Sequence, residues 1–156
     1  MKAAAGDSPA GLMIFAGRFV LSSVRRAKIR KLFERVQKGE KTKLNASLIF
    51  VGDFKMKNLN KHFRKKDKTT DVLSFPLGQS GNTVDGEIYI SFPQAKSQAP
   101  DFRNSLEGEI LRLSAHGFLH LLGYDHHSPK EKKVMFAREE KYLKGLGAAA
   151  SGGGRC

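Results

Sequence analysis

Between residues 111 and 122 the chain reads LRLSAHGFLHLL, a stretch of helical spacing that is apolar on nearly every side. A helix of this kind is buried around its whole circumference, so other elements must cover it. Ser105 can cap its start, and Gly123 is placed to stop it, because glycine takes the left-handed conformation in which helices end. The cover has to come from the remaining segments. In residues 22–38, Ile29, Leu32, Phe33 and Val36 recur at i, i+3, i+4 and i+7, while Arg26, Arg30, Lys31, Glu34 and Lys38 fall elsewhere on the wheel. This predicts an amphipathic helix with a basic outer face, ended by Gly39. Ser128-Pro129-Lys130-Glu131 offers a capping box with proline at the first helical position and opens a last helix to about Lys144.

Short runs rich in β-branched and aromatic residues, ASLIFV at 46–51, TDVLSF at 70–75 and EIYIS at 87–91, predict strands. The segment 80–85, SGNTVD, reads as a turn or loop before the third of them. The apolar run 11–21 is broken by Arg18 and too short to span a bilayer, so it reads as an edge strand leading into a helix. The fold class expected is α+β: helices packed on a small mixed β-sheet in a single domain. That domain is expected over residues 11–147. The remainder, 148–156, has the composition of a flexible tail.

Charge narrows the partner. The chain carries 28 Lys and Arg against 15 Asp and Glu, a formal net charge of +13, and residues 1–80 hold 18 of the basic and only 6 of the acidic residues. A one-signed field over half a domain exceeds what solubility needs and points to a polyanion such as RNA, with no membrane. The stretch 55–68, dense in Lys and Arg, and the helix at 25–43 would supply a groove wall along an RNA backbone. A lone cysteine, Cys156, cannot close an internal disulfide, and the expected location is cytoplasmic.

Four of the five histidines fall within residues 115–128. His116 and His120 lie one turn apart on one helix face, where two imidazoles can converge on one ion. A turn at Gly123 would bring His126 to the same ion. Three histidines leave a fourth tetrahedral position open, the arrangement of catalytic rather than structural zinc, so one Zn2+ is the cofactor expected. Asp125 suits either an outer partner of a ligand or a turn residue bonding its own backbone, and Met135 suits packing beneath the site or plain core.

The spacing His-x3-His-x2-Gly-x2-His is also that of metzincin peptidases, whose motif carries a glutamate after the first histidine as general base; here that position is Gly117. A fuller match lies elsewhere. HGFLHLLGYDH, with LNKHFRKKDKTTDVLSFPL and GEIYIS upstream, closely resembles the YbeY family of bacterial endoribonucleases, in the same order over about residues 46–146. The resemblance implies a zinc-dependent, single-strand-specific endoribonuclease acting in ribosomal RNA maturation, including processing of the 16S 3' end, and in ribosome quality control. It implies His116, His120 and His126 as ligands, and the ribosome or its small subunit as partner. The family's arginine falls on Arg64, and Phe63 replaces the usual tyrosine. On this basis Arg64 is the candidate catalytic cation, offsetting charge on the phosphate while water at the metal or a ribose hydroxyl attacks. Arg64, Lys65, Lys66 and Phe63 are the candidate RNA-binding residues, and Asp71 and Ser74 are candidates to line the cleft. Glu87 stands where the family often has aspartate. Two other classes remain open: a metallopeptidase, and a non-catalytic ribosome-associated RNA-binding protein with a structural zinc whose fourth ligand is His127 or Asp125.

Overall fold

The computed structural model describes residues 11–150. Its elements run β1 (Leu12–Phe15), α1 (Arg18–Ser23), α2 (Arg26–Glu40), β2 (Lys43–Val51), α3 (Asp53–Arg64), β3 (Val72–Ser80), β4 (Thr83–Ser91), α4 (Phe92–Gln98), a 3-10 turn (Ala99–Phe102), α5 (Leu106–Leu121) and α6 (Pro129–Leu143). The sheet order is β1-β2-β4-β3. β1 and β2 are parallel, as are β2 and β4, whereas β3 runs antiparallel to β4. The α+β architecture on a mixed sheet is therefore present as expected.

β1, β2 and β4 alternate between a buried and an open face. Leu12 and Ile14, Leu44, Ala46 and Leu48, and Val84, Ile88 and Ile90 all turn inward into one hydrophobic core. Across that face lies α5, packed on β3 and β4 and flanked by α2 and α6. Thirteen of its sixteen residues are buried, including even Glu109 and Arg112, which pair with each other. The buried helix seen in the sequence is the central rod of the domain, and its caps form as expected: the Ser105 hydroxyl accepts from the Gly108 N–H at 3.0 Å, and the capping box of Ser128 and Glu131 is complete.

Several local readings need correction. Gly39 does not end α2; the helix continues to Glu40, and Lys41 takes the left-handed turn at φ 54°. Gly39 is instead a contact point, because a Cβ there would run into the Tyr142 ring. Residues 80–85 are not a loop: Ser80 ends β3 and Thr83 begins β4, so only Gly81 and Asn82 turn the chain. Most of α3 falls in the basic stretch 55–68, which the sequence did not reveal as a helix, and α4 was likewise unread. Of the expected tail, Ala148 and Ala150 pack against the core and the Ala149 N–H donates to Asn104 at 2.7 Å. Residues 151–156, with Cys156, lie outside the described residues. Among the described residues, no helix is long and apolar enough to cross a membrane.

Close approach of α5 to the sheet depends on Gly117, where an added Cβ would stand 2.6 Å from Cγ2 of Ile88, a fully buried β-branched side chain on β4. Gly117→Ala is expected to destabilise the fold. The overpacking cost of about 1–3 kcal/mol exceeds the helix-propensity gain of up to about 1 kcal/mol, and a lower denaturant midpoint at unchanged m-value is the result to look for.

Candidate metal centre and its cleft

His116 and His120 project from the last turns of α5, as their four-residue spacing dictates. The helix then stops. The N–H of Gly123 bonds the His120 carbonyl at 3.0 Å, Gly123 adopts φ 100°, and the N–H of Tyr124 returns to the Leu119 carbonyl at 3.0 Å. This reversal, open to glycine without strain, carries His126 back over the helix end. One ligand atom from each of His116, His120 and His126 lies within 4.8 Å of the others. The three sequence-predicted ligands are thus brought together.

The chemistry of the donor set fits a metal ion. Nδ1 of His116 stands 2.7 Å from Oε2 of Glu139, a carboxylate on α6 that is almost wholly buried. With Nδ1–H donating there, Nε2 is left to ligate, the carboxylate–histidine arrangement that fixes a ligand's tautomer and ring. Nε2 of His120 is 3.1 Å from Nε2 of His116. That is close to the separation of about 3.4 Å required by two nitrogens on one tetrahedral zinc at about 2.0–2.1 Å. Glu139 went unnoticed in the sequence, because a glutamate in a charged helix reads as solvated surface.

Burial, then the neighbouring His116 and His126, pushes the His120 imidazole down to about 4, so near neutral pH it is uncharged, the form that binds metals. For the metal-free protein this has a consequence in stability. In the unfolded chain a histidine takes up its proton near pH 6.5, whereas folded His120 resists it until about 4. The unfolded state therefore binds the extra proton in this window, and stability is lost as pH falls from about 6.5 to 4. Denaturant titrations of the chelated protein should show the decline, and it should be shallower in His120→Ala.

The triad opens onto a cleft of about 840 Å3 walled by the end of α3, the chain leading into β3, and α4 with its 3-10 turn. Arg64, Lys66 and Lys68 line it, together with Asp71 and Ser74. Arg64 donates from Nη2 to the Ser74 carbonyl at 3.1 Å and stands over the Phe75 ring at 5.7 Å, which steadies its guanidinium beside the histidines. Lys65 and Phe63 are placed differently. Lys65 is the left-handed cap of α3, and Phe63, 56% exposed, leans on His62 and Phe75; neither lines the cleft.

Asp125 bonds the His126 N–H through Oδ1 at 2.8 Å and pairs through Oδ2 with His127 at 2.9 Å, so it acts as a turn residue. Met135 is core. A second polar cluster was not anticipated. Arg112, buried and stacked 3.7 Å from the centre of the Phe102 ring, holds Glu109 at 2.6 Å, and Gln98 bridges Glu109 and Asp71 at 2.7 and 2.9 Å. It fastens α4 to α5 and to the start of β3, forming the far wall of the cleft.

Comparison with known proteins agrees with this geometry. The family described as Endoribonuclease YbeY matches residues 20–147. The Endoribonuclease YbeY of Acholeplasma laidlawii is 45% identical over 112 residues, covering 72% of this chain and 82% of the relative. That of Aquifex aeolicus is 39% identical over 134 residues, covering 80% and 88%. A solution structure from Thermotoga maritima superposes with a TM-score of 0.57 at 33% identity, covering 85% of both chains. A match spanning β2 to β4, the cleft and all three histidines leaves one assignment: the chain belongs to the YbeY endoribonuclease family.

Proposed function

We propose that the protein is a zinc-dependent endoribonuclease that cleaves single-stranded RNA, acting in the cytoplasm on ribosomal RNA during maturation, at the 16S 3' end, and in ribosome quality control. The observation that carries the reading is the convergence of His116, His120 and His126 in a cleft whose wall holds Arg64, Lys66 and Lys68. Family membership supports RNA as the substrate, and association with the small ribosomal subunit is part of the proposal.

Zinc, when bound, supplies Lewis acidity and lowers the pKa of water in its open position. The chain's own residues do the rest. Glu139 holds His116 in the ligating tautomer. Arg64, tethered to the Ser74 carbonyl, keeps its remaining N–H donors for a phosphate drawn beside the histidines, where they offset charge that develops on its oxygens. Lys66 and Lys68 track the neighbouring backbone phosphates, and Lys65 and Phe63, outside the cleft, meet the strand further along, with Phe63 available to stack a base.

The peptidase alternative loses its general base for a steric reason, since a side chain at 117 meets Ile88. Structural zinc would need His127 or Asp125 as a fourth ligand, and these two pair with each other instead. The deciding experiment combines metal analysis of the purified protein with cleavage of unstructured and structured RNA before and after chelation. One zinc per chain, with chelator-sensitive cutting confined to unpaired RNA, is expected. Cutting that survives complete metal removal would defeat the proposal.

A further inference from the structure

The three histidines are not held equally. His116 is gripped by Glu139 and, like His120, sits on a helix embedded in the core. His126 sits on a short segment between α5 and α6. Among the described residues, no hydrogen bond or ion pair from residues 125–127 reaches beyond that segment: the His126 N–H and the His127 ring both bond Asp125. The position of the third ligand is therefore set by the anchors on either side. On the far side stands the capping box of Ser128. On the near side stands Tyr124.

The Tyr124 hydroxyl donates to Oε1 of Glu40 at 2.7 Å, and Glu40 lies 84 residues earlier, at the end of α2. Glu40 is shielded, its side chain 11% exposed. Its other oxygen accepts from the Tyr142 hydroxyl and lies 3.4 Å from Nη1 of Arg138, both on α6. Burial, and then the bond to Glu40, pushes Tyr142 up to about 12 and raises Tyr124 as well, so both phenols stay protonated and donate. A single carboxylate on α2 thus ties the ligand-bearing turn to α6, the helix that carries Glu139.

We propose that Tyr124, bolted through its hydroxyl to Glu40, is a positioning residue that sets the place of His126 in the metal centre. The inference rests on the metal reading above and names a determinant outside the histidine set. Charge on the carboxylate matters less than its place: Glu40 offers a rigid acceptor on an element that does not move with the turn. Losing that bond leaves the Tyr124 side chain held by ring packing alone, with the backbone bond to Leu119 behind it, so residues 124–128 loosen and part of the entropy of ordering His126 then has to be met when the metal binds.

Tyr142 supplies the control. It donates to the same carboxylate, but α6 is also held by Arg35, which reaches the Tyr142 and Lys144 carbonyls at 3.0 and 2.6 Å, and by buried Met135 and Leu143. Removing the Tyr142 hydroxyl costs the fold a bond without releasing a ligand. Zinc affinity is measured by competition with a chromophoric chelator on full-length, cooperatively folding protein. Tyr124→Phe is expected to weaken zinc roughly 10-fold, within the 10–100-fold range for outer partners of metal ligands, while Tyr142→Phe stays within about 2-fold even where its Tm falls. Glu40→Ala should match Tyr124→Phe. Tyr124→Phe at parental affinity, or Tyr142→Phe weakened equally, overturns the inference while leaving the metal reading intact. A parent protein that takes up no zinc overturns both.

Discussion

His120→Ala protein is expected to be purified nearly free of zinc. Two imidazoles and water make a poor site, and since losing an outer partner alone costs roughly 10–100-fold, losing a direct ligand should cost at least about 100-fold in affinity. His120 is the better choice for this test than His116. Replacing His116 also takes a hydrogen-bond partner from Glu139, a carboxylate 1% exposed, and weakening the pairing of a buried charge destabilises a fold for reasons unrelated to metal. His120 is only partly buried, and its nearest polar neighbour is the other ligand nitrogen at 3.1 Å. Metal analysis and chelator competition decide the matter, and full zinc occupancy in His120→Ala would remove it from the ligand set.

The second large effect separates chemistry from binding. Arg64→Ala is expected to lower the single-turnover rate at saturating RNA by roughly 10²–10³-fold, the usual effect of removing one donor aimed at developing charge, with zinc content and RNA affinity largely kept. The comparison is a Lys66→Ala, Lys68→Ala double variant. Both lysines line the cleft, whereas Lys65 turns out to be a helix cap at φ 60° and is less suitable. If these lysines only follow the backbone, the saturated rate stays nearly intact. The RNA concentration for half-maximal rate should rise, and the salt slope should shrink by about 0.7 per lysine on single strands. Equal loss of saturated rate in the two proteins would deny Arg64 a special role.

What the sequence conveyed depended on whether the signal was local. The rod α5 was readable because helical spacing, a serine cap and a glycine stop all act within a few residues, and α6 because its capping box is spelled out in four. The three histidines were readable for the same reason. By contrast, α3 buries only Met56 and Asn60 of its twelve residues, and Asn60 does so by donating to the Lys68 carbonyl at 2.9 Å. One apolar contact in a run of lysines leaves no periodicity to detect. Glu139, Glu40 and Arg112 escaped because charged residues are read as surface. Glu139 meets His116 across 23 positions and Glu40 meets Tyr142 across 102, so the pairings that make their burial tolerable exist only after folding.

The helix stop at Gly123 keeps all three histidines within residues 116–126. Closing so short a loop costs little entropy, so an unfolded chain can still gather the same imidazoles around an ion, with reduced but real affinity. Thermodynamic linkage then has two sides. Zinc stabilises the native state only by the difference between its affinities for folded and unfolded chains. The rise in melting temperature on adding zinc should consequently be smaller than the native affinity alone dictates, and thermal shift will under-report how tightly this protein holds its metal.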